Sequence, residues 1–92
     1  MKRAVKDYLN ATGWFNFHVL QGMGAYKGVP DRIAIKNGIV LFIEVKQPKG
    51  KQSDNQIGFE KDIWQAGGHY ILVKCIDDLI EAIKIIEQKG GK

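Results

Sequence analysis

Val5, Tyr8 and Leu9 recur at helical spacing within residues 2–9, and the pattern stops near Asn10 and Gly13, which predicts a short amphipathic helix. Residues 15–20 alternate and are rich in aromatic and β-branched side chains, the pattern of a strand. The glycine-bearing stretch 21–30 reads as a mobile loop. Two strand patterns follow, 31–36 and 39–46, separated by Asn37-Gly38, the strongest local signal for a two-residue type I′ hairpin. Pro48 and Gly50 close the hairpin and start a polar linker. Ser53-Asp54-Asn55-Gln56 then matches a capping box and opens a helix to about Ala66, ended by Gly67-Gly68. Residues 69–74 form a buried strand, and Asp77 is expected to cap a last helix with Leu79, Ile80, Ile83 and Ile86 on one face. Residues 88–92 are expected as a flexible tail. The order is αβββαβα. A helical crossover between strands 39–46 and 69–74 makes them parallel neighbours, so the class is α/β with a mixed central sheet flanked by helices.

The hairpin carries the chemistry. A two-residue turn at Asn37-Gly38 makes Lys36 face Ile39 and, by the same register, Asp31 face Glu44. Opposed residues on antiparallel strands have Cβ atoms about 4.5–5.5 Å apart, and like charges in that relation destabilise the sheet. Glu44 also ends five consecutive apolar residues, Ile39 to Ile43, where an unpaired carboxylate costs several kcal/mol. Lys46, two positions on, emerges on the same face as both acids. A bound divalent cation would offset the repulsion and the burial together. The alternative is a solvated pair of surface acids at a strand end.

Composition narrows the setting. At 92 residues the chain is one domain, 1–92, small enough that a partner subunit would add stability. No run approaches transmembrane length and no signal-peptide pattern opens the chain, so a cytoplasmic protein is expected. Cys75 stands alone, which excludes an intrachain disulfide, and there is no Cys/His zinc pattern. Of the net +4, residues 1–50 carry eight Lys/Arg against three acids, while residues 51–92 carry six against seven. The basic excess travels with the hairpin, as suits a protein that holds a polyanion near its own carboxylates.

Gly28-Val29-Pro30-Asp31, then Ile43-Glu44-Val45-Lys46, then Gln56 on the following helix resemble the PD-(D/E)XK nuclease superfamily and, within it, the VRR-NUC family of small nuclease domains. The resemblance spans residues 2–88. It implies a restriction-endonuclease-like αβββαβ core with an added C-terminal helix. It further implies Asp31 and Glu44 as metal ligands, with the Val45 carbonyl as a third, and Lys46 as the residue that orients water and offsets phosphate charge. The implied cofactor is Mg²⁺, with Mn²⁺ able to substitute, and no small-molecule cofactor. The implied substrate is DNA, branched forms such as Holliday junctions included, cut by a homodimer whose two sites are related by symmetry.

Physical chemistry supports these roles separately. Mg²⁺ takes hard oxygen ligands and keeps several waters, so two carboxylates and a carbonyl leave room for a phosphate oxygen and a water. For Lys46 to act as a base it would have to be neutral, and two nearby carboxylates favour its charged form. Gln56 has two candidate duties, at the site or as N3 of the capping box. The first helix departs from the family pattern, in which an acid there often touches the metal's waters. Here it offers only Asp7, which favours a single metal.

Around this core, Tyr26 and Lys27 in the glycine loop and Lys49 and Lys51 past the active strand are candidate nucleic-acid contacts. Gly22-Met23-Gly24 opens no helix and is weak as a nucleotide-binding loop. His18 and His69 read as structural, Trp14 and Trp64 as core or interface aromatics, and the isoleucine-rich last helix as core with a dimer contact as second choice. The rival to a nuclease is a non-catalytic nucleic-acid-binding module that retains the nuclease fold.

Overall fold

In the computed structural model, which describes residues 1–20 and 26–90, the chain forms α1 (Lys2–Ala11), β1 (Phe15–His18), β2 (Arg32–Lys36), β3 (Ile39–Val45), α2 (Asp54–Gln65), β4 (His69–Val73) and α3 (Ile76–Gly90). The αβββαβα order is the one the hydrophobic pattern predicts. The four strands form one sheet in the order β1-β2-β3-β4, antiparallel at the first two junctions and parallel at β3–β4.

The turn chemistry sets the register. Asn37 and Gly38 both have positive φ, 52° and 81°, as a type I′ turn requires, and Lys36 pairs with Ile39. The ladder runs back to Arg32↔Ile43, one step short of Asp31 and Glu44.

Alternation along the strands separates two faces. Ala34, Leu41, Ile43, Ile71 and Val73 turn toward α1 and α3 and pack with Val5, Leu9, Trp14, Leu79, Ile83 and Ile86 in one buried cluster. The opposite face carries Phe42 and Tyr70, which meet Phe59 of α2 at ring-centroid distances of 5.8 and 6.4 Å. No residue of α2 is fully buried. That face is therefore covered in part, and Phe15 and Phe17 of the edge strand β1 remain exposed on it.

Two expectations need correction. Asp77 does not cap α3. The Asp78 carboxylate accepts the amides of Lys74 and Cys75 at 2.9 and 3.2 Å, because the chain turns from β4 into the helix without a linker, and these bonds hold its carboxyl below the usual range. The helix runs on through Gly90, so residues 88–90 are not a tail, and 91–92 lie outside the described residues. Of the two tryptophans read as core or interface aromatics, Trp14 is core and Trp64 lies at the surface. The latter is exposed, with its indole N–H donated to Glu60 at 3.2 Å and its ring edge-on to His69. Of the loop predicted over 21–30, residues 21–25, including Gly22-Met23-Gly24, lie outside the described residues. No helix among the described residues is long and apolar enough to cross a membrane.

Candidate active site

The first motif follows from a close approach. Gly28 has φ +82°, and a Cβ there would fall on the Asn55 carbonyl and lie 3.0 Å from the Gln56 nitrogen. Only glycine lets this segment lie against the first turn of α2. Pro30 is buried behind it, and Asp31, 8% exposed, immediately precedes β2. The main-chain carbonyl of Asp31 accepts the Val19 amide at 2.8 Å, and its carboxylate Oδ2 accepts the Val45 amide at 2.7 Å. The aspartate is thus tied across the hairpin to the residue after Glu44.

Glu44 is 3% exposed. Its Oε2 accepts the Gln56 side-chain amide at 3.0 Å and lies 3.6 Å from the Lys46 ammonium. Its Oε1 is buried and has no hydrogen-bond partner among the described residues. Burial raises the carboxyl above its ordinary range and the Asp31 charge raises it further, while Lys46 pulls the other way. Among the described residues no histidine, thiol or third carboxylate completes a metal cluster with the pair, and Asp7 of α1 is exposed.

Gln56 completes the cap and also reaches Glu44. Its Oε1 accepts the Ser53 amide at 2.8 Å and its own backbone N–H donates to Ser53 Oγ at 3.2 Å, completing the capping box, while its Nε2 holds Glu44. One side chain therefore fixes both the start of α2 and the orientation of Glu44. Below it, Gln52 donates to the Tyr70 hydroxyl at 3.3 Å. Burial pushes that phenol up to about 12, so Tyr70 stays protonated near neutrality.

The structure brings together Asp31, Glu44, Val45, Lys46 and Gln56. Tyr26 and Lys27 are exposed beside α2, in a hollow they share with Asp54, Asp62 and Phe59, and the Tyr26 ring meets Phe59 at 5.7 Å. Lys49 and Lys51 are exposed on the linker after β3.

One neighbour was not anticipated. The Lys2 ammonium of α1 lies 3.3 Å from Asp31 Oδ1. The available signal was the basic start of α1 without an early acid; the missing piece was where that helix docks.

No family model matches the chain, and no curated protein does. Among solved structures, one titled "VRR_NUC domain" superposes with a TM-score of 0.74, covering 94% of this chain and 89% of that one at 23% sequence identity. The chain has the fold of a VRR_NUC domain.

Proposed function

We propose that this protein is a divalent-metal-dependent endonuclease that hydrolyses phosphodiester bonds in DNA. The observation that carries the reading is the buried Oε1 of Glu44, without a hydrogen-bond partner among the described residues, beside a second carboxylate on a fold shared with a VRR_NUC domain. An orphaned anionic oxygen in a closed site is unfavourable unless a ligand meets it, and a hard cation is the ligand such an oxygen suits. Asp31, Glu44 and the Val45 carbonyl would hold Mg²⁺ or Mn²⁺. When bound, the ion supplies Lewis-acid polarisation of the phosphate and a more acidic water.

The protein's own groups do the rest. Gln56 prevents Glu44 from rotating, and the Val45 amide does the same for Asp31, so the two carboxylates keep their spacing through the reaction. Lys46 stands beside Glu44 Oε2, where it hydrogen-bonds the attacking water and offsets charge gathering on the phosphate. In the step itself a P–O bond forms to the water oxygen as that water gives up a proton to solvent, the scissile ester P–O bond breaks, and its oxygen takes up a proton from solvent and departs as a hydroxyl.

Tyr26, Lys27, Lys49 and Lys51 would contact the nucleic-acid backbone or bases. A homodimer accords with Phe15, 67% exposed, and its neighbour Phe17, rings 5.7 Å apart on an open sheet edge. Two symmetric sites suit a branched substrate such as a Holliday junction.

The test is cleavage of a four-way junction and of linear duplex with Mg²⁺, with Mn²⁺ and with chelator. Cutting is expected only with metal, and Asp31→Asn or Lys46→Ala should reduce it by about 100-fold or more. Tight binding by the wild type with no cutting of either substrate would overturn the hydrolytic reading and favour a binding module.

A further inference from the structure

A hollow of about 630 Å³ opens on the α1 side of the carboxylate pair, where the carboxyl ends of β3 and β4 meet the first turn of α1. Lys2, Arg3, Lys46 and Lys74 line it, and no acidic residue does. Two features of the fold concentrate this charge. Val45 pairs in parallel with Val73 and the Lys46 amide bonds the Val73 carbonyl at 2.9 Å, so Lys46 and Lys74 leave adjacent strands side by side. Carboxyl ends of parallel strands are where open α/β sheets take their ligands. The first turn of α1 holds Lys2 and Arg3 and no acid, the reverse of what the helix dipole favours. Both arrangements oppose stability unless an anion joins them.

Two of these cations lack a close carboxylate partner among the described residues, although Lys74 stands near enough to Asp78 to help hold its carboxyl low. Among the described residues neither Arg3 nor Lys74 forms an ion pair with a carboxylate. Lys2 has Asp31, but with its side chain 63% exposed, a pair of the kind that contributes little and exchanges readily. The hollow beside α2 is different: its single cation, Lys27, sits with Asp54 and Asp62.

We propose that the basic hollow is a phosphate subsite that holds the nucleic-acid backbone next to the scissile bond, with Lys2, Arg3 and Lys74 as its contacts and Lys46 shared with the reacting phosphate. This rests on the nucleic-acid reading of the site. Lys2 then exchanges Asp31 for a phosphate as the strand arrives, and the backbone next to the scissile bond lies on the α1 side of the carboxylates.

The experiment is binding of a fluorescently labelled DNA duplex to the full chain in chelator, over a range of salt concentrations. Each phosphate contact adds about 0.9 to the slope of log K against log salt. The double substitution Arg3→Gln/Lys74→Gln should lower that slope by about 1.8, each single substitution by about half of that. Lys61→Gln/Lys84→Gln, the same loss of charge on exposed positions of α2 and α3, should leave it unchanged. A wild-type slope in Arg3→Gln/Lys74→Gln, or an equal loss in both doubles, would overturn the subsite. If the slope falls as expected while the wild type cuts nothing, the subsite stands and the hydrolytic reading fails. If the wild type cuts and the slope is untouched, the hydrolytic reading stands and the subsite fails.

Discussion

On its α2 side the Asp31–Glu44 pair is backed by a run of close contacts: Gly28 against Asn55, Gln56 on Glu44, and Tyr26 and Phe42 against Phe59. On its α1 side the links among the described residues are two lysines, Lys46 to Glu44 and Lys2, its side chain mostly in solvent, to Asp31, and beyond them lies a basic hollow. Both flanks border the same two carboxylates, yet one is built to hold them still and the other to admit something. Rigid support and ligand access are competing demands on a site this small, and the fold meets them on opposite sides.

Breaking the rigid flank should have the largest effect. Gly28→Ala places a methyl group on the Asn55 carbonyl and forces a β-carbon into a left-handed conformation. The conflict is with backbone, so no side chain can yield. A loss of about 3 kcal/mol is expected in chemical denaturation from overpacking and backbone strain together, with α2 and the carboxylates displaced. Were Gly28→Ala as stable as wild type, the close approach would not be what positions the pair. Lys2→Ala, the matching change on the open flank, should leave stability within about 0.5 kcal/mol.

Those two residues also mark what was legible in the sequence. The hairpin, the capping box and the parallel β3–β4 pair are local or nearly so: Asn37-Gly38, Ser53 with Gln56, and one helical crossover each decide them. The reach of Lys2 to Asp31 is different, because it depends on how Val5 and Leu9 seat α1 on the sheet. Likewise the alternation of Phe15 and Phe17 announced a strand but not that it would be an edge with open aromatics. The cap of α3 went to Asp78 because β4 ends against the helix, a spacing that no local rule specifies.

A middle-sized effect comes from enclosure on the rigid flank. Burial, and then Asp31, hold the Glu44 carboxyl above its ordinary value near 4.5, with Lys46 opposing. The unfolded chain therefore releases this proton at lower pH than the folded chain does. Glu44 favours the folded state most below the unfolded value and loses that contribution as pH rises through the folded one. In metal-free buffer, the unfolding free energy of wild type relative to Glu44→Gln should fall as pH is raised from about 4.5, then level off. Parallel pH profiles would mean that Glu44 is not enclosed in solution.

The smallest effect separates the two duties of Gln56. Ser53→Ala removes the side-chain acceptor of the cap but leaves the Gln56 amide on Glu44, so it should cost about 1 kcal/mol of stability and change cleavage by less than about two-fold. Gln56→Ala removes the cap's other half and frees Glu44 as well. It should cost a similar amount of stability yet lower cleavage by roughly 10-fold, the usual range for losing a group that orients a ligand. Equal cleavage in the two variants would reduce Gln56 to a helix cap. Unequal cleavage at equal stability would show that the helix start and the carboxylate are held by one side chain for different purposes, which is how α2 can be rigid where it meets the site while burying none of its own residues fully.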